Sequence, residues 1–208
     1  VLIFPDLCHS CAGCWLVCAP GALSESQRSI GTLEKGSAGE IQVIQGLLDI
    51  GRALSPPVIR AVKAAAPDAG LVILDAPPGT SCPVIESVRD ADYVLLVTEP
   101  TPFGLNDLKL AVEMVRVLGL PFGVVINRAD PSARDTHAWC EQEQIAILAE
   151  IPDDRRVAEV YSRGGMASEH LPEYFSVFSN LLNQIESRSK AVASEAPRQL
   201  ESAVKESS

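Results

Sequence analysis

LVILDAPPGT, residues 71–80, puts four apolar residues in a row, Leu71-Val72-Ile73-Leu74, directly before Asp75 and a Pro-Pro-Gly turn. A short continuous apolar run bounded by turn residues is the pattern of a strand buried on both faces of a parallel sheet. The pattern recurs further along, at Tyr93 to Val97 and at Phe122 to Ile126. The stretches between, about 83–89 and 105–118, read as helices, as do 133–142 and 155–162, with a short strand over 145–148. Upstream, Ile41 to Leu48 reads as a strand and Val58 to Ala66 as a helix opened by Pro56-Pro57. The last helix carries Leu171, Tyr174, Phe175, Phe178, Leu182 and Ile185 at spacings of three and four, a stripe expected to pack into the core. Strands alternating with helices imply an α/β fold with a mostly parallel, doubly wound sheet whose ligands sit at the strand C-terminal edge. No internal repeat is visible.

Composition fits a globular chain. Among 208 residues, 47% are hydrophobic and 21% charged, and the net charge is −10. An acidic chain without Lys/Arg clusters is poorly suited to nucleic acid or an anionic membrane surface. The apolar runs are too short to span a bilayer, and no secretion signal is visible, so a cytoplasmic location is expected. The chain starts at Val1 and runs directly into Val1-Leu2-Ile3-Phe4, which reads as a cut from something longer. Beyond Lys190 the composition is Ala, Ser, Glu and Lys with one Pro, and a flexible tail is expected over 190–208.

Four of the six cysteines, Cys8, Cys11, Cys14 and Cys18, fall in the pattern C-x2-C-x2-C-x3-C. That spacing is the bacterial ferredoxin run, in which three thiolates reach one [4Fe–4S] cluster and the fourth serves a second cluster. Ala12 and Gly13 are small enough for backbone amides to approach cluster sulfides. The usual Pro after the fourth Cys is displaced by one, since Ala19 intervenes before Pro20. Zinc is the alternative, but zinc ligands usually come as two separated pairs. His9 reads as a solvent-facing neighbour rather than a ligand. Arg28 to Glu34 is expected to return as a strand of this module, with Gly36-Ser37-Ala38-Gly39 as a joint to the next domain.

The polar residues that follow the apolar strands carry the rest of the chemistry. Asp75 could hold a Mg²⁺-bound water, and Gly79 could offer its N–H to a terminal phosphate. Thr98-Glu99-Pro100-Thr101, Asn127-Arg128-Ala129-Asp130 and Ile151-Pro152-Asp153 close the next strands in turn. Taken singly, each is an ordinary turn. Cys82 is expected to be a packed thiol and Cys140, on a polar helix, to be incidental. His137 and His170 show no partner, Lys109 and Arg116 read as solvated charges, and Glu99 faces either a dimer partner or a helix entry. No Ser/His/Asp set for nucleophilic catalysis is present.

CHSCAGCWLVC at 8–18, IGTLEKG at 30–36, LDAPPGTSCPV at 74–84, VTEPTPFGLNDLKLAVEMV at 97–115 and VVINRAD at 124–130 together resemble the MinD/ParA superfamily of deviant Walker-A ATPases. The match is to the branch with an inserted ferredoxin domain, within the CobQ/CobB/MinD/ParA nucleotide-binding group. The resemblance implies a P-loop NTPase-like sheet with part of a ferredoxin-like insert at the N-terminus. It divides the chain into an insert over 1–36, a nucleotide-binding domain over 37–189 and the tail. It implies that Asp75 is the Walker-B type aspartate, that Pro78-Gly79 is the switch near the γ-phosphate, and that Asn127, beside Arg128, meets adenine with Pro152 and Asp153. Implied cofactors are ATP, Mg²⁺ and [4Fe–4S] clusters, two of them in the full-length protein.

One family element has no counterpart. The nearest approach to a K-G-G-x-G-K-[ST] phosphate loop is Lys35-Gly36-Ser37-Ala38-Gly39-Glu40, where Glu40 puts a negative charge in place of the phosphate lysine. The expectation is therefore a chain lacking an N-terminal segment with that loop, and ATPase activity only in the full-length protein. The function expected is coupling of nucleotide binding and hydrolysis to electron transfer or cluster delivery, with a redox or client protein as partner and a homodimer as the full-length state. The alternative is a ferredoxin-type electron carrier with a non-hydrolytic docking domain. An amide-forming enzyme, like the corrinoid relatives, ranks last because no amide-donor domain is visible.

Overall fold

In the computed structural model the described residues are 4, 8, 11–24, 26–52, 54–67 and 70–206, with side chains left undescribed at 132 and 192–206. His9 and most of the Val1–Phe4 run therefore lie outside them. The chain divides into two compact units, Val1–Val88 and Arg89–Ser208.

In the first unit, α1 is a single helical turn, Gly13–Leu16, entered through Ala12 in the left-handed region at φ 65°. Strands β1 (Gly31–Ala38) and β2 (Ile41–Leu48) form an antiparallel hairpin in register from Gly31↔Leu48 to Ala38↔Ile41. The Gly36 to Gly39 stretch is thus not a joint between domains. Gly36, Ser37 and Ala38 are ladder residues, and Gly39, at φ 60°, makes the tight turn that the hairpin requires. Helix α2 (Pro56–Ala65) begins with prolines, whose missing N–H groups cost nothing in a first turn. It packs on the hairpin at Gly46, where a Cβ would come within 2.4 Å of the Val58 side chain. Helix α3 (Cys82–Val88) buries Val84 and Ser87 and is tied to α2 by Arg60 to Glu86 at 3.2 Å.

Leu71-Val72-Ile73-Leu74 differs from its sequence reading. The run carries no strand assignment, has no ladder partner among the described residues, and is exposed, Ile73 to 82%. Apolar character makes a strand only where a neighbouring backbone completes its hydrogen bonds.

The second unit is built on a parallel three-stranded sheet in the order β3 (Val94–Thr98), β4 (Phe122–Ala129), β5 (Ile147–Pro152). Its central strand is nearly water-free at Val124, Val125 and Ile126, as a parallel strand covered on both faces should be. Helix α4 (Pro102–Leu118) covers one face through Leu108, Val112 and Val115 and stops at Gly119, whose φ of 68° suits a left-handed cap. Helix α5 (Arg134–Gln142) follows a 3-10 turn, Pro131–Ala133. Cys140 on α5 is not incidental: it is fully buried against Leu108, Val112, Val124 and Ile126, and burial raises its thiol pKa. Cys82, read as packed, is exposed at the start of α3.

Helices α6 (Arg155–Ser162) and α7 (Ala167–His170) lead into α8 (Pro172–Glu206). The buried seam of α8 runs through Tyr174 and Leu181 with Ile185 beside it, leaving Phe175 at 62% exposure. The stripe read from sequence is thus rotated slightly. Helix α8 also continues past Lys190, where a flexible tail was expected, because Ala, Glu, Gln and Lys favour helix. Among the described residues no helix is long and apolar enough to cross a membrane.

Candidate functional site

The C-terminal edge of the β3–β4–β5 sheet is organised by its exit loops. Thr98, at the end of β3, is buried and donates to the Gly104 carbonyl at 3.0 Å and to the Glu99 carbonyl at 3.3 Å. Thr101 caps α4 by accepting from the Gly104 N–H at 3.0 Å. Gly104 is required at this spot. A Cβ there would meet the Glu99 carbonyl oxygen at 2.3 Å.

Strand β4 leaves the sheet through an irregularity. Asn127 pairs with Ile151 and Ala129 with Pro152, and Arg128 between them bulges out at φ 55°. The bulge aims its guanidinium across the edge. Arg128 Nε donates to Asp153 Oδ1 at 3.2 Å, and a terminal nitrogen lies 3.7 Å from Glu99 Oε1. The hydrogen bond to Asp153 and the two nearby carboxylates hold Arg128 firmly in its charged form. One cation near the end of β4 thus links residues that follow β3 and β5. At this edge Glu99 thus pairs with Arg128. Beside this bridge, Ala129, Asp130, Glu150 and Pro152 line an open depression of about 280 Å³. His137, expected to have no partner, lies 3.3 Å from Glu150. Asn127 is half-buried, while Pro152 and Asp153 are exposed.

Arg116 and Lys109 are not simply solvated either. Arg116 pairs with Glu143 at 2.6 Å, and the Lys109 ammonium sits 5.8 Å from the Trp139 ring centroid.

Asp75, Pro78 and Gly79 lie in the first unit on an exposed loop. Gly79 is at φ 94°, and a Cβ there would meet nothing within 4 Å. An open carboxylate and an unobstructed glycine backbone are compatible with a metal-bound water and a phosphate.

The cysteine run meets the donor requirement for an iron–sulfur cluster in its chemistry. Cys8, Cys11 and Cys14 are exposed free thiols, and Cys18 is a half-buried one. Gly13 leaves Cys11 Sγ 3.7 Å from where a Cβ would stand, and the left-handed Ala12 turns the chain between Cys11 and Cys14. The thiols do not converge. Among the described residues no three His, Cys, Asp or Glu side chains are grouped as metal ligands. The described part of 1–36 is α1, loops and the first six residues of β1, so a complete ferredoxin fold is not seen in it.

No protein-family model matches the chain. It is 28% identical over 188 residues to an uncharacterised protein of Methanocaldococcus jannaschii, covering 89% of this chain and 62% of that one. It is also 28% identical over 158 residues to an uncharacterised ATP-binding protein of the same archaeon, covering 69% and 58%. Among solved structures, the cell division ATPase MinD of Pyrococcus furiosus superposes with a TM-score of 0.52 at 23% identity, covering 66% of this chain and 60% of that chain. The chain therefore spans about 60% of the length of these proteins. The α/β fold is MinD-like.

Proposed function

We propose that this chain belongs to an adenine-nucleotide-binding iron–sulfur protein in which the nucleotide state controls electron transfer by, or delivery of, a [4Fe–4S] cluster. The observation that carries the reading is the Cys8, Cys11, Cys14, Cys18 run of unpaired thiols in one chain with a MinD-like sheet. The ATP-binding relative supports the nucleotide half.

In this reading Asp75 orients a Mg²⁺-bound water, Gly79 donates its N–H toward the terminal phosphate, and Asn127 reads the adenine edge with Pro152 and Asp153 alongside. Arg128 holds Asp153 and Glu99 in place and offsets part of their combined negative charge. Cys8, Cys11 and Cys14 would hold one cluster as thiolates and Cys18 would serve a second, and a cluster, when bound, would supply one-electron chemistry. Adjacent exposed Leu16 and Val17 leave the cysteine run accessible to a redox or client protein. A homodimer is the assembly that fits nucleotide control.

Two arms test this. Anaerobic incubation with iron and sulfide should give thiolate-to-iron absorbance in the visible region, and Cys11→Ala should lose most of it; unchanged absorbance would overturn the ligand assignment. Titration with Mg-ADP should shift the backbone amide signals of Asn127 and Asp153, and Asn127→Ala should weaken that response. A cluster without any nucleotide response would leave only an electron carrier.

A further inference from the structure

We infer that Tyr174 and Arg156 are positioning residues for the base side of the site, fastening residues 152–154 to the start of α8 so that α8 regulates nucleotide affinity. The inference rests on the reading of Asn127, Pro152 and Asp153 as the groups that meet the base.

Asp154 makes more bonds than a helix cap requires. A cap is complete when one side-chain oxygen accepts one N–H, and Asp154 does this for the Arg156 N–H at 2.9 Å. The same carboxylate also accepts from the Arg156 guanidinium at 2.6 and 2.9 Å and from the Tyr174 hydroxyl at 3.2 Å. Tyr174 belongs to another helix, 20 residues further along the chain, and is only 2% exposed. A buried hydroxyl needs a partner, and this one finds it in the base-side loop. Arg156 extends the fastening, since its Nη2 also donates to Glu173 at 2.8 Å. Glu173 and Tyr174 both lie in the first turn of α8.

The opposite side of the loop is fixed as well. The Asp153 N–H donates to the Ala129 carbonyl at 3.3 Å, and its carboxylate accepts from Arg128 at 3.2 Å. Residues 152–154 are therefore held between the β4 bulge and α8. Neighbouring Cα atoms stand about 3.8 Å apart across a trans peptide, so Asp154 cannot move far without carrying Asp153. A binding group serves its ligand only when held within about 0.5 Å of its place. Linkage makes the coupling run both ways. Whatever moves the start of α8 changes affinity for the base, and a bound base restrains the start of α8.

Backbone amide signals followed during titration test this, with Mg-ADP and adenosine as the probes. In the parent protein both should shift Glu173 and Tyr174 together with Asp153. Tyr174→Phe keeps the ring and removes only the hydroxyl; it should weaken binding about fivefold, and Arg156→Ala by more. The factor should be the same for Mg-ADP and adenosine, because the loop meets the base and not the phosphates. Arg155→Ala, in the same turn of α6 but paired with Glu159, should bind both as the parent does. A merely structural role for Tyr174 would show as a lower melting temperature with both affinities intact. Variants that bind as tightly as the parent, or a parent in which Asp153 responds while Glu173 and Tyr174 stay still, would overturn the regulation by α8 and leave the nucleotide site standing. A parent that responds to neither probe would overturn the base-side reading, and this inference with it.

Discussion

Gly104→Ala is a sensitive probe of how the sheet edge is assembled, because two opposing effects act on it. In an exposed helix interior, alanine is favoured over glycine by about 1 kcal/mol. At Gly104, near the start of α4, that gain is opposed by contact. The new Cβ would stand 2.3 Å from the Glu99 carbonyl oxygen and 3.1 Å from Thr98 Oγ1, the first of these being backbone that cannot rotate away. Overpacking a tight site costs about 1–3 kcal/mol, and a 2.3 Å contact with fixed backbone falls in the upper half of that range, so the contact wins. The net loss should be about 1–2 kcal/mol, seen as a melting temperature about 2–8 °C lower. Displacing Glu99 would also draw it away from Arg128. Thermal unfolding followed by circular dichroism is the assay, with the amide shifts of Glu99, Arg128 and Asp153 as the local readout. A Gly104→Ala protein as stable as the parent, with those three signals unmoved, would refute the packing described for this loop.

Cys140→Ser should destabilise the second unit by about 1–3 kcal/mol in urea unfolding, since it buries a hydroxyl among aliphatic side chains; an unaffected midpoint would mean that the thiol is not in the core. In the folded protein Cys140 should react with a thiol reagent far more slowly than Cys82, and equal rates would contradict their opposite burial. The Asp154 carboxylate, which accepts from Arg156 and caps α6, has its pKa lowered from 3.8 to about 2. A lowered folded-state value stabilises above the unfolded one and loses that contribution as pH falls. The melting-temperature advantage over Asp154→Asn should therefore be level above about pH 4 and shrink toward pH 2. An advantage that does not change between those limits would disprove the assignment.

Which features were legible in the sequence follows from what decides each of them. Val124, Val125 and Ile126 announce a strand buried on both faces, and the helix read over 105–118 is α4 without its first three residues. Leu71 to Leu74 have the same composition as β4 but not its neighbours, and only a paired backbone turns such a run into a ladder. Cys140 was hard to place because α5 is mostly polar, and its burial comes from one narrow face turned toward α4 and β4. The tail composition reads as disorder, although Ala, Glu and Lys serve a helix equally well. At the site, Arg128 was readable as a strand-end residue, but its bridge to Glu99 and Asp153 depends on a bulge with positive φ, which no motif encodes.

The proposed function depends most heavily on the sulfur chemistry of the Cys8 to Cys18 run. Its most direct test is chemical analysis for iron and acid-labile sulfide in protein purified without exposure to oxygen. Bound iron and sulfide in equal amounts, both lost together from a Cys11→Ala, Cys14→Ala double variant, is the expected result. Protein that holds neither, while its thiols remain reduced and titratable, would contradict it.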